Sequence, residues 1–87
     1  MDLLQQLEAA AAKSKELTKR PSNEELLLLY ALYKQGSEGD VSGERPGGFD
    51  FMAIAKFDAW EEQKGKSKEA AVKEYVALVD KLHQQYA

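Results

Sequence analysis

There is no cysteine in the 87 residues, only one histidine, one tryptophan and two prolines. Without cysteine, disulfides and thiolate metal centres are excluded, and nothing points to an oxidising compartment. His83 has no second imidazole or thiolate to join it, so a metal site of the usual composition is excluded too. No apolar run approaches the ~20 residues that a bilayer span needs, which argues against stable membrane insertion. The opening MDLLQQLEAA has no basic leader and is broken by Gln5, Gln6 and Glu8, so it does not read as a signal peptide. Basic charge is not in excess either. Twelve Lys and Arg against fifteen Asp and Glu leave a net −3, a poor footprint for non-specific nucleic-acid binding. No segment alternates with period two, no heptad run or internal repeat occurs, and no nucleophile–base pair stands out. These absences leave a cytoplasmic soluble protein as the expectation, with one domain over residues 1–87 and one modest core.

What is present reads as helix. Leu3, Leu7, Ala10, Ser14 and Leu17 fall on one side at 100° per residue, which predicts an amphipathic first helix of about four turns. Pro21 cannot continue it, and Ser22 with Glu25 three positions on forms a capping box for the second helix. That helix is expected to run to about Gln35, with Gly36 as a left-handed stop. The segment GSEGDVSGERPGGFD is then too long and too rich in glycine for a simple connection. Asp50 is placed to cap a third helix with Ala53, Phe57 and Trp60 inward, closed by Gly65. Ser67 caps a fourth, in which Ala71, Tyr75, Leu78 and Leu82 lie beside Val72, Val76 and Val79, while Lys73, Asp80, Lys81 and Gln84 face water. The fold class is all-α, and a four-helix bundle is the economical arrangement.

The second helix carries more apolar surface than one neighbour can cover. On a wheel, Leu28, Leu29 and Leu32 form one face, expected to join the core. Tyr30 and Tyr33 lie about 40° and 20° to either side of Leu26 on a second face, with Leu27 and Lys34 adjoining. Two rings, two leucines and an ammonium suit a ligand with an apolar tail, a stackable ring and an anionic group. Periodicity leaves a plainer reading open, in which a central helix touches three neighbours and is apolar all round.

The stretch YALYKQGSEGDVSGERPGGFDFMAIAKFDAWEEQKGKSKEAAVKEY resembles the acyl-coenzyme-A-binding protein family. The likeness rests on Tyr30-x-x-Tyr33-Lys34-Gln35, Gly39-Asp40, Arg45-Pro46-Gly47, Ala55-Lys56, Asp58-Ala59-Trp60, Lys64-Gly65, Ser67-Lys68-Glu69 and Tyr75 in this order and spacing. The RPSNEE of residues 20 to 25 extends it over nearly the whole chain. The resemblance implies an up-down-down-up four-helix bundle with the long loop crossing between helices two and three. It implies a monomeric, non-enzymatic carrier that binds medium- to long-chain acyl-CoA thioesters one to one, needing no cofactor beyond that ligand. Carried over, Tyr33 would stack on the adenine, and Tyr30 and Lys34 would hold the ribose 3′-phosphate with help from Lys56. Tyr75 would meet the nucleotide or pantetheine portion, Leu26, Leu27 and Ala11 the apolar parts, and Lys15 and Arg20 would form a basic rim.

The sequence departs from that pattern at Met52 and Ile54, where many members have lysines, at Phe57, where a tryptophan is usual, and at Arg20, where lysine is common. Fewer cations on the third helix imply less reliance on phosphate attraction. The competing classes are a helical protein-interaction module that docks a partner on the second face, and a fatty-acid or lysolipid carrier indifferent to coenzyme A. Of the remaining polar groups, Glu44 and Arg45 are expected to form a local salt bridge, and Trp60 to be core.

Overall fold

The computed structural model describes residues 2–86. Four helices follow in order: α1 (Leu3–Ser14), α2 (Asn23–Glu38), α3 (Phe51–Glu61) and α4 (Lys68–Tyr86), with no strand among the described residues. Local chemistry sets most of the boundaries. Asp2 accepts the Gln5 N–H while Gln5 Oε1 accepts the Asp2 N–H, and Ser22 and Glu25 repeat this reciprocal cap at α2. Each such cap contributes about 1 kcal/mol to its helix. Asp50 accepts from the Ala53 N–H, and Ser67 Oγ from the Ala70 N–H.

Three helices build the core. α4 packs on α1 and α2, and α1 and α2 touch each other, whereas α3 packs on α2 alone. Leu7, Leu32, Val72, Val79 and Leu82 are essentially inaccessible, each worth roughly 1.5–3 kcal/mol in burial. The molecule is flat, 36 × 29 × 15 Å along its principal axes, because α3 lies beside the three-helix core rather than over it. Both sides of the α2–α3 seam therefore reach the surface.

Several expectations need correction. Gly36 does not end α2: it is buried inside the helix, and a Cβ there would lie 2.9 Å from Val72 Cγ2. It is a close-packing site against α4, and the positive-φ stop comes at Gly39 (φ 87°). Leu17 falls outside α1, because the chain turns at residues 15–16 and Thr18 donates its N–H to the Tyr86 carbonyl at 3.0 Å. Leu17 still packs on the core. Leu28 is not core but 39% exposed: it borders an open groove beside α3, with Leu27, Ala31, Ala55 and Ala59. Asp80 is half-buried and pairs with Lys13 at 2.7 Å.

The long connection between α2 and α3, residues 39–50, is tied down at two points. Buried Gln35 donates from Nε2 to Asp40 Oδ1 and to the Lys66 carbonyl, both at 2.8 Å, and Asp40 Oδ1 also accepts the Gly65 N–H. The Gly65 N–H and the Gln35 amide hold the Asp40 carboxyl below the usual carboxylate range. Further along, Arg45 grips Asp58 of α3 through two bonds of 2.7 and 2.9 Å, not Glu44 as expected. Trp60 is core, and its Nε1 donates to the Gly39 carbonyl at 2.9 Å.

Candidate ligand-binding site

The second face of α2 meets side chains from two other helices. Tyr33 stands edge-on to Tyr75 of α4, with ring centroids 5.8 Å apart. Tyr75 is itself buried, 4% exposed, and burial pushes its phenol pKa upward, opposed by a hydrogen bond with Ser14 of α1. Tyr30, one turn before Tyr33, lies under the ammonium of Lys56 of α3, whose Nζ is 5.4 Å from the ring centroid. This is the distance of a cation–π contact. Lys34 is drawn aside: it pairs with Glu38 one turn on, and its Nζ sits 5.2 Å from the Trp60 ring centroid. The hydrogen bond to Glu38 raises its pKa.

One turn back along both helices the surface becomes apolar. Leu26, Leu27, Phe51, Met52 and Ala55 line a cleft of about 300 Å³, with Arg20 and Asn23 at its polar edge. Helical spacing joins the cleft to the ring cluster, since Leu26 and Tyr30 are one turn apart on α2, as are Met52 and Lys56 on α3. Two cations at this surface have no ion pair among the described residues: Arg20, at the edge of the cleft, and Lys56, over the Tyr30 ring. Lys13, Lys34, Arg45, Lys66 and Lys73 each have one. An apolar cleft running into aromatic rings and uncompensated cations can take an amphiphile whose head is anionic. No group of acidic, histidine or cysteine side chains suited to a metal occurs among the described residues.

A family described as "Acyl CoA binding protein" matches residues 5–79. The chain belongs to this family. It is 53% identical over 83 residues to the acyl-CoA-binding protein homolog of Drosophila melanogaster, covering 95% of this chain and 96% of the relative. It is 51% identical over 83 residues to the acyl-CoA-binding protein of Saccharomyces cerevisiae, covering 95% of each. The crystal structure of acyl-CoA-binding protein 2 from Oryza sativa superposes with a TM-score of 0.89 at 43% identity, over 97% of this chain and 93% of that one. The solution structure of the yeast protein gives 0.74 at 51% identity, over 94% and 95%.

In this acyl-CoA-binding family member, the residues expected at a site fall into distinct groups. Tyr33 with Tyr75, and Tyr30 with Lys56, are brought into direct contact; Arg20, Leu26 and Leu27 share the cleft. Ala11 packs partly against the core, and Lys15 is exposed just past the end of α1. Sequence reasoning did not assign Asn23, Phe51 or Ala55 to the cleft. Met52, noted only as a lost cation, proves to be part of its wall, while Ile54 is half-buried. A signal for Phe51 and Ala55 was available: they are one turn apart, next to Met52 and Lys56, and so share the latter's side of α3.

Proposed function

We propose that the chain binds medium- to long-chain acyl-CoA thioesters one to one and serves as their carrier, without catalysis. The observation that carries this reading is the continuity of the apolar cleft with the Tyr30–Lys56 and Tyr33–Tyr75 pairs. The alkyl tail lies in the cleft, and each buried methylene contributes ~0.8 kcal/mol. The nucleotide lies over Tyr30 and Tyr33, where ring stacking is tolerant of base identity. Lys56, Arg20 and Lys15 meet the phosphates, a salt-sensitive contribution. Lys34 joins them by exchanging Glu38 for a phosphate oxygen.

Calorimetric titration with a long-chain acyl-CoA, the matching free fatty acid and free CoA tests the reading. The thioester should bind with a stoichiometry of one, and the two fragments far more weakly. Tyr33→Ala should lose ~1–3 kcal/mol of binding and Tyr33→Phe much less, because the phenylalanine keeps the ring. A free fatty acid binding as tightly as the thioester would overturn the proposal in favour of a carrier that ignores coenzyme A.

A further inference from the structure

A second groove opens on the other side of the α2–α3 seam. Leu27, Leu28 and Ala31 of α2, with Ala55 and Ala59 of α3, line about 330 Å³. Leu27 and Ala55 also line the cleft, so the two openings lie back to back on that shared pair. Helical spacing gives the groove its length. Glu24, Leu28 and Ala31 climb two turns of α2, and Ala55, Ala59 and Glu62 two turns of α3, about 10 Å each. Two helices side by side form a furrow that takes the side-chain ridge of a third. Neither α1 nor α4 touches α3, so neither closes the furrow.

The rim of the groove is acidic. Glu24, Asp58 and Glu62 stand along it, and no lysine or arginine lines it. Arg45 engages Asp58. Glu24 and Glu62 are exposed and have no ion pair among the described residues. Glu62 also caps the C-terminus of α3, where the helix macrodipole disfavours negative charge. It does not serve the helix it ends. These carboxylates narrow the occupant. A second copy would set the same acids against one another, and an anionic lipid or nucleic acid would be repelled.

We propose that this groove docks a basic amphipathic helix of a partner protein. Its apolar stripe lies against Leu28 and Ala31, and lysines or arginines flanking the stripe meet Glu24 and Glu62. The mouth of the cleft stays free, so a docked partner leaves the other side of the seam accessible.

Fluorescence anisotropy at low salt tests the groove, with a dilute labelled peptide of three Leu-Lys-Lys-Leu-Leu-Lys-Leu repeats as the probe. The control is its acidic counterpart, three repeats of Leu-Glu-Glu-Leu-Leu-Glu-Leu. The wild type should bind the cationic peptide and not the acidic one. Leu28→Lys should weaken binding by about tenfold or more, the value of one buried leucine. Glu24→Lys combined with Glu62→Lys should reverse the preference, losing about tenfold for the cationic peptide and gaining the acidic one. Misfolding cannot mimic that gain. Phe51→Ser, in the cleft but not in the groove, should bind the cationic peptide as the wild type does. A wild type that ignores the cationic peptide, or groove variants that bind as it does, overturn the proposal. Weakening by Phe51→Ser would move the peptide into the cleft and overturn it too. Wild-type dimers in sedimentation velocity that Leu28→Lys dissociates would give the groove to a second copy instead.

Discussion

Lys34 and Gly36, two residues apart on α2, show how much a single position depends on what lies opposite. Glu38 holds the Lys34 ammonium, so a phosphate can recruit that ammonium only by displacing the carboxylate. Glu38→Gln should therefore tighten acyl-CoA binding at low ionic strength, and the gain should shrink in high salt, where the Debye length falls to ~3 Å. Titration at two salt concentrations measures this, and weaker binding at low salt would place Lys34 outside the site. Gly36 is fixed by space. An added methyl meets Val72 Cγ2 at 2.9 Å, and overpacking of this kind costs about 1–3 kcal/mol. The better helix propensity of alanine returns up to about 1 kcal/mol. Gly36→Ala should lower the denaturation midpoint, and adding Val72→Ala should cost less than the two single changes predict separately. Strict additivity would remove the close approach as the cause.

Among the elements, α3 is the most weakly held, since it packs on α2 alone. The loop 39–50 reinforces it through Arg45 with Asp58, and anchors itself through Asp40 with Gln35 and Gly65. The hydrogen bonds from Arg45 hold the Asp58 carboxyl below its ordinary pKa, and those from the Gly65 N–H and Gln35 do the same for Asp40. A pKa lowered by folding means stability that is fully present above the unfolded value of about 3.9. It is lost as the pH falls through the lower folded values. The stability difference between the wild type and Asp40→Ala should stay constant above about pH 5 and narrow as the pH falls below about 4. Denaturant titrations across that range check it, and a difference that persists unchanged into acid would mean that the carboxylate charge contributes nothing. The Arg45–Asp58 tether holds the element that supplies Phe51, Met52 and Lys56 to the proposed site.

For the molecule as a whole, a ligand spanning α2, α3 and α4 binds only the folded arrangement, so it should raise Tm by mass action, by an amount that grows with ligand concentration. A Tm indifferent to saturating long-chain acyl-CoA would sink the carrier reading. How much of this was legible beforehand differs by kind. The four helices, three caps and the core of α4 could be read from the chain, because periodicity and capping are relations between residues one turn apart. The pairing of Tyr30 and Tyr33 on one side of α2 was legible for the same reason. What the chain alone could not settle is which neighbour each face meets. Leu28 and Leu32 look alike on a wheel, yet Leu28 is exposed and Leu32 sealed, because α3 sits to one side and leaves that side of the seam open. Gly36 looks like a stop until Val72 of α4 is seen against it. Arg45 could have turned to Glu44, but Asp58 lies thirteen residues away in sequence and within reach in space. Met52 reads as a missing charge and becomes part of a cleft wall only when α3 is set beside Leu26 and Leu27. Sequence by itself determined the elements, since their causes are local hydrogen bonds and periodic burial. Tertiary structure alone decided the cleft and the long-range pair of Arg45 with Asp58, since these depend on distances between segments that no local rule sets.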